Sequence, residues 1–137
     1  MKNQKHISKT KNGVERDRLK EEFRARINSY IVYLIKFLRK LPTDGVTNEV
    51  ARQLIRSGSS IGANYFEAQG ASSKRDYQNF FSYSLKSANE SRFWLNVLLD
   101  SGLVPKDLMD ECKWLVRETK ELANIFASNI LTMKGRR

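Results

Sequence analysis

Residues 19–41, LKEEFRARINSYIVYLIKFLRKL, decide the fold class of this chain. Large apolar side chains recur in this stretch at intervals of four, four, four, three, four and three residues, which is the period of an amphipathic α-helix. These side chains are Leu19, Phe23, Ile27, Ile31, Leu34, Leu38 and Leu41. Pro42 ends the helix, because a residue that precedes proline is disfavoured in the α conformation. The stretch therefore predicts one long helix whose apolar face must be covered by other elements.

A turn and a second helix are predicted after Pro42. The dipeptide Asp44-Gly45 is typical of a turn, and Thr47 or Asn48 is expected to cap the next helix. That helix is predicted from Asn48 to Gln69, and Gly70 suits the C′ position that follows it. Its apolar seam is Val50, Leu54, Ile61, Tyr65 and Ala68.

Two further helices complete the pattern. Ser73, with Asp76 three residues later, resembles a capping box for a third helix that runs to Ser101-Gly102. Pro105 suits the first turn of a fourth helix, whose apolar stripe extends to Met133 and includes Cys112 as a small core residue. Because the connections are short, the sequence predicts an all-α fold, an antiparallel up-down-up-down four-helix bundle.

Composition excludes several classes of protein. A chain of 137 residues with 40% hydrophobic content is expected to form one domain, and two prolines with seven glycines are too few for a β-sandwich. One cysteine and one histidine allow no internal disulfide, no Cys/His metal site and no metal cofactor of that type. The charged N-terminus and the absence of a long apolar run predict no secretory signal and no membrane span, so a cytoplasmic location is expected.

The positive charge is concentrated at the two ends of the chain. Residues 1–20 contain seven basic and two acidic residues, residues 134–137 contain three basic residues, and the whole chain carries +10. We therefore divide the chain into a basic N-terminal tail (1–15), a bundle (16–133) and a basic C-terminal tail (134–137). Basic ends on a nearly neutral body favour contact with a polyanion, and nucleic-acid phosphate is the commonest one. The alternative is that the ends only increase solubility. The residues predicted to contact phosphate are Lys2, Lys5, Lys9, Lys11, Arg16, Arg18, Lys20, Arg24, Lys134, Arg136 and Arg137.

The middle of the second helix consists almost entirely of small residues, SGSSIGAN at 57–64. Gly58 and Gly62 lie four residues apart on one face, so a neighbouring helix is expected to approach closely there. A separate polar row contains Arg56, Ser60, Asn64 and Glu67. This row has two interpretations: a hydrogen-bonded network across the bundle or across a subunit contact, or a surface that reads a ligand or RNA.

The same region resembles a known family. The segments QLIRSGSSIGANY (53–65) and EAQGASSK (67–74), followed by Glu90, Arg92 and Trp94 in the third helix, are similar to the four-helix bundle proteins named after intervening sequences in 23S ribosomal RNA genes. The similarity extends over roughly residues 27–133. Membership implies a helical bundle that assembles into a homo-oligomeric ring, commonly a pentamer, with no established enzymatic activity. Relatives similar in fold are accessory factors of diversity-generating retroelements, which bind a reverse transcriptase and its RNA.

No enzyme constellation is visible in the sequence. His6, the single histidine, lies in the N-terminal tail, and no glycine-rich phosphate loop is present. Three functions remain: a ribonucleoprotein component that binds RNA or another nucleic acid through basic tails and rim, an accessory subunit of a reverse transcriptase, or a purely structural protein-interaction ring. The residues assigned to a structural network or interface are Arg56, Gly58, Ser60, Gly62, Asn64, Glu67, Glu90, Arg92 and Trp94.

Overall fold

The computed structural model describes residues 11–135. It contains four long helices, α1 (Lys11–Arg39), α2 (Gly45–Gln69), α3 (Lys74–Ser101) and α4 (Met109–Met133), with a short 3₁₀ turn at Lys106–Leu108 before α4. No strand occurs in this part of the chain. The predicted all-α class and the predicted number of helices are therefore confirmed.

The start of α1 differs from the sequence prediction, whereas its end agrees with it. The helix begins at Lys11, well before Leu19, so residues 11–15 of the predicted N-terminal tail are helical. It ends at Arg39, shortly before Pro42, as the proline predicts. The tail residues Lys2, Lys5, Lys9, Arg136 and Arg137 lie outside the described residues.

The residue that caps α2 is Asp44, so the expected cap at Thr47 or Asn48 is wrong. The Asp44 carboxylate accepts hydrogen bonds from the Thr47 backbone N–H at 2.8 Å and from its hydroxyl at 2.9 Å. These hydrogen bonds lower the pKa of Asp44. A carboxylate is the better cap because it interacts favourably with the positive end of the helix dipole.

The other helix ends follow the sequence more closely. Ser73 caps α3 as predicted, since its hydroxyl accepts from the Asp76 N–H at 3.1 Å. Gly102 adopts a left-handed φ of 77° after α3, whereas Gly70 has a φ of −102° and does not need glycine's conformational freedom. Pro105 precedes the 3₁₀ turn, so α4 begins one short turn later than expected.

One hydrophobic core joins all four helices. Its fully buried aliphatic residues include Leu34, Leu54, Leu95 and Leu115, one from each helix. Leu19 is the exception in the predicted stripe, because 50% of it is exposed. The core position predicted for Cys112 is confirmed, and burial raises the pKa of its thiol to about 11.

Buried hydroxyl groups connect the helices inside this core. The hydroxyls of Ser57 on α2 and Ser91 on α3 lie 2.8 Å apart, and Ser84 donates to the carbonyl of Ile61 at 2.9 Å. Tyr30 on α1 and Thr119 on α4 form a further hydroxyl pair at 2.5 Å, and burial raises the pKa of Tyr30 to about 12. Every one of these polar groups has a partner, so the small residues of α2 pack without unsatisfied hydroxyls.

The close helix contact expected at Gly58 and Gly62 is the contact with α1. A Cβ atom at Gly58 would overlap Cδ2 of Leu34, and one at Gly62 would lie 2.7 Å from Cδ1 of Ile31. Real Cβ atoms do not approach neighbours this closely. The two glycines therefore set the distance between α1 and α2.

Ion pairs connect α1, and the residue that follows it, to α4. Arg26 forms a bidentate pair with Glu118, both distances being 2.8 Å, and also contacts Glu121 at 3.0 Å. Directly after the end of α1, Lys40 contacts Glu111 at 2.8 Å. The bidentate geometry at Arg26 makes that pair the more specific of the two.

Candidate nucleic-acid interface

Aromatic side chains from all four helices meet in one cluster. Phe23 of α1 lies 5.2 Å from Tyr65 of α2 and 5.3 Å from Phe126 of α4, measured between ring centroids. Phe81 of α3 lies 5.5 Å from Phe126. Contacts of this kind between rings add to the stabilisation from burial alone. The cluster therefore holds the first half of α1 beside the end of α2, the start of α3 and the second half of α4.

Basic side chains from α1 and α3 line two clefts beside this aromatic cluster. Arg16 and Lys20 of α1 line a cleft of 390 Å³ that is also lined by Tyr77. Lys74 lines a neighbouring cleft of 470 Å³, which shares Tyr77 and extends to Met133. Arg75 and Lys134 are exposed and follow Lys74 and Met133 in sequence. We call the set Arg16, Lys20, Lys74, Arg75 and Lys134 the basic end.

The side chains of the basic end are not held in ion pairs, although Lys20 also lines a second cleft together with Asp17 and Glu21. Within residues 11–135 none of its five members forms an ion pair with a carboxylate, and the same is true of Lys11. These side chains therefore remain available to a negatively charged ligand.

Two of the residues predicted to contact phosphate are instead paired locally. Arg18 contacts Glu15 and Glu22, and Arg24 contacts Glu21. Hydrogen bonds from the arginines lower the pKa of both Glu15 and Glu21. Arg18 and Arg24 thus add less to the local positive charge than their number suggests.

Lys74 and Arg75 were absent from the predicted binding residues. A signal existed in the sequence, because residues 21–75 carry nine basic and five acidic residues whereas 76–133 carry six and eight. An excess of basic residues in the first half of the body does not show which of them lie close together in the fold. Only the packing of α3 against the other helices brings Lys74 close to the end of α4.

The polar row of α2 faces outward. Arg56 and Glu67 are exposed, and among the described residues neither forms an ion pair. Ser60 donates to the Arg56 carbonyl at 2.7 Å, and Asn64 donates to the Ser60 carbonyl at 2.9 Å, so the hydrogen bonds of the row stay within its own helix. The row therefore does not form the hydrogen-bonded network across one bundle that was one of its two interpretations. The inward face of α2 is occupied by Leu54 and Ile61. A subunit contact or a ligand remains as the partner of this row.

The remaining residues assigned to an interface lie on α3. Glu90 is exposed and Arg92 is half-buried, and within residues 11–135 neither forms an ion pair. Trp94 is half-buried, packs against the core and lies 5.0 Å from the ring of Phe93. Trp94 thus forms the edge of the core, next to an exposed aromatic residue.

An exposed apolar stripe follows the α1–α2 contact. Ile55 and Phe66 are exposed at positions that fall on one side of α2, and 76% of Phe66 is accessible to solvent. Phe66 lines a groove of 210 Å³ together with Ile31 of α1, and Ile35 lies one helical turn farther along α1. Exposed apolar patches of this kind mark interaction surfaces.

The described residues offer little to a catalytic mechanism. Residues 11–135 contain no group of three or more His, Cys, Asp or Glu side chains that could hold a metal ion. Cys112 is buried and its raised pKa makes it a poor nucleophile. His6 lies outside the described residues. None of the four long helices has an apolar stretch that could cross a lipid bilayer.

Comparisons with known proteins agree with this architecture. A crystal structure of a protein of unknown function from the S23 ribosomal protein family of Bacteroides thetaiotaomicron is similar, with a TM-score of 0.69 and 25% sequence identity over 81% of this chain and 96% of that chain. Comparison with curated proteins gives no match. Residues 23–125 match the model of the family described as 23S rRNA-intervening sequence protein. This chain therefore belongs to the 23S rRNA-intervening sequence protein family.

Proposed function

We propose that this protein is a non-enzymatic helical bundle that binds nucleic acid, with RNA as the preferred polymer, through the basic end. The observation that carries the proposal is that Arg16, Lys20 and Lys74 line two clefts that share Tyr77, and none of the three forms an ion pair with a carboxylate among the described residues. Each basic side chain that neutralises a phosphate releases condensed counterions, which favours binding. The family description, which refers to intervening sequences in 23S rRNA, supports RNA as the polymer.

The two chain termini extend the same surface. In an antiparallel up-down-up-down bundle the start of α1 and the end of α4 lie at the same end, and the contact between Phe23 and Phe126 supports this arrangement. In sequence, residues 1–10 directly precede α1 and residues 136–137 follow soon after the end of α4. Lys2, Lys5, Lys9, Arg136 and Arg137 would raise the number of positive charges that a polyanion meets there.

Neutralising two residues of the basic end tests this function. The double variant Arg16→Gln/Lys20→Gln is expected to bind a short RNA more weakly than the wild type at low salt, and the difference should shrink as the salt concentration rises. The slope of log affinity against log salt should fall in magnitude by about 1.4 to 1.8, because two fewer phosphates are neutralised. Fluorescence anisotropy of a labelled RNA across a salt series measures both quantities.

The matched control neutralises two residues at the opposite end of the same helix. Lys36 and Arg39 are exposed, and among the described residues they have no carboxylate partner, so Lys36→Gln/Arg39→Gln removes the same charge from α1. This control should keep the wild-type salt slope. Equal losses in the two double variants would show that net charge alone, and not the basic end, determines binding.

We further propose that the protein works as a homo-oligomeric ring, with a pentamer as the expected assembly. The exposed stripe of Ile55, Phe66 and Ile35 supports a subunit contact along α1 and α2. A ring would repeat the basic end several times around its rim. Several weak phosphate contacts on one RNA would then act together and increase the overall affinity.

A charge placed in the stripe tests the assembly. We expect Phe66→Glu to dissociate the oligomer, because a carboxylate buried in an apolar contact without a partner is strongly unfavourable. Light scattering should then give a mass near 15.9 kDa for the variant and a multiple of it for the wild type. Val46→Glu is the control, since Val46 is exposed on the opposite side of α2. A wild-type mass near that of one chain would contradict the ring.

A further inference from the structure

The 390 Å³ cleft beside the aromatic cluster is lined by aromatic and amide side chains in addition to the basic residues that would contact phosphate. Its volume lies within the range of about 300–1,000 Å³ that is typical of small-ligand sites. Basic side chains from α1 form one wall, and aromatic side chains from α2 and α3 form another. The lining residues include Arg16, Lys20, Tyr65, Tyr77, Phe81 and Asn129. No carboxylate lines this cleft, so its charge favours an anionic ligand.

Tyr77 occupies the central place in this arrangement. Its ring is stacked on Phe81, with 4.8 Å between the centroids and an angle of 28° between the ring planes. Phe81 is itself buried, so one face of the Tyr77 ring packs against the core. Tyr77 is half-buried and lines both the cleft of Arg16 and Lys20 and the neighbouring cleft of Lys74. It is therefore an aromatic surface with positive charge on two sides.

Polar groups in the cleft can pair with the edge of a base. Asn129 donates its amide N–H to the carbonyl of Ile125 at 2.9 Å, which leaves its side-chain oxygen available as an acceptor. Burial raises the pKa of Tyr65 to about 12, so its hydroxyl stays protonated and neutral at physiological pH. A neutral hydroxyl can both donate and accept, and therefore does not select strongly among bases.

We propose that this cleft binds one unpaired nucleotide of a single-stranded nucleic acid, with its base stacked on Tyr77 and its flanking phosphates contacted by Arg16, Lys20 and Lys74. This inference rests on the proposed nucleic-acid binding. It adds the cleft at which a nucleotide binds and a preference for single strands. Stacking on an aromatic side chain tolerates any base, because every base has a π-face. A paired base within a duplex cannot reach the ring. The protein is thus expected to prefer single strands over duplexes.

The test compares Tyr77→Leu with Tyr83→Leu in the full-length chain. Tyr83 is exposed on the same helix and lines none of the clefts described above, so it is a matched control. Labelled single-stranded oligouridine and a duplex RNA of equal length serve as probes. Tyr77→Leu should weaken binding of the single strand by about 5- to 150-fold, the range measured for one lost stack, and leave duplex binding unchanged. Tyr83→Leu should change neither.

The possible failures are distinguishable from one another. If the wild type binds neither probe, the proposed function itself fails. If the wild type binds both probes and Tyr77→Leu affects them equally or not at all, the nucleotide cleft is wrong while phosphate binding stands. If uridine monophosphate competes as effectively as oligouridine, the ligand is a free nucleotide and the strand proposal is overturned.

A second measurement does not depend on the folding of a variant. Oligouridine that carries one photoreactive 4-thiouridine is irradiated with the wild-type protein, and the cross-linked peptide is identified by mass spectrometry. We expect the cross-link to map to the peptide that contains Tyr77. Exclusive cross-linking to peptides of α2 around Arg56 would overturn the proposal and move the site to the outward polar row.

Discussion

Replacing Phe126 with alanine is expected to lower the free energy of unfolding by about 3 to 5 kcal/mol. Phe126 is completely buried and its ring contacts Phe23, Tyr65 and Phe81, one residue from each of the other helices. Truncation removes the apolar area of the ring and leaves a cavity at the point where all four helices meet. Because a typical domain is stable by about 5 to 15 kcal/mol, this loss is a large part of the total.

Urea denaturation followed by circular dichroism measures the effect at one fixed protein concentration, since assembly would otherwise shift the midpoint. Phe93→Ala is the control, because Phe93 is 57% exposed. It should cost far less than Phe126→Ala. If the two variants were equally stable, the aromatic cluster would not be a tightly packed contact between helices, and its role in positioning the basic end would be lost with it.

The second large effect is expected at Gly58. Replacement with leucine should destabilise the fold by about 1 to 3 kcal/mol, although leucine is the better helix former. The new side chain would enter the space of Cδ2 of Leu34, and because Leu34 is only 1% exposed, its buried surroundings must shift with it. Thermal unfolding at fixed concentration, compared with the wild type, gives the change.

Two other glycines of α2 provide a graded comparison. Gly62→Leu should cost less than Gly58→Leu, because the nearest atom to a Cβ at Gly62 is Cδ1 of the half-buried Ile31 at 2.7 Å, and the buried Ile27 lies farther away at 3.3 Å. Gly45→Leu should be nearly neutral, since a Cβ at Gly45 has no neighbour within 4 Å. An increased melting temperature for Gly58→Leu would mean that α1 and α2 are not held at the distance the structure shows.

Local sequence predicted the elements of this fold well. The spacing from Phe23 to Leu41, the proline at 42 and the cap at Ser73 depend only on residues within a few positions of one another. The same period identified Cys112 as a core residue, which its complete burial confirms. The start of α2 was less accurate, because Asp44, Thr47 and Asn48 are all acceptable caps and only the backbone conformation selects one.

The neighbour that each face of a helix contacts depends on how the four helices pack. Ser57 and Gly58 are adjacent in sequence, yet Ser57 contacts Ser91 of α3 whereas Gly58 meets Leu34 of α1. Periodicity gives the direction of a side chain around its own helix axis, but it does not identify the helix on that side. For the same reason, the sequence revealed that Arg56 belongs to a polar row on α2. It did not show whether that row faces another helix or solvent.

For the candidate site, too, the sequence predicts the residue types and the fold determines which of them lie together. Periodicity and composition were enough to predict four helices, a net charge of +10 and the concentration of that charge near the two ends. Only the packing of the helices brought Arg16, Lys20 and Lys74 around Tyr77, although Lys20 and Lys74 are far apart in the chain. Charge is a property of composition, which the sequence lists in full. A binding surface depends on distances between helices, and these are set by the buried contacts of Phe126, Gly58 and their neighbours.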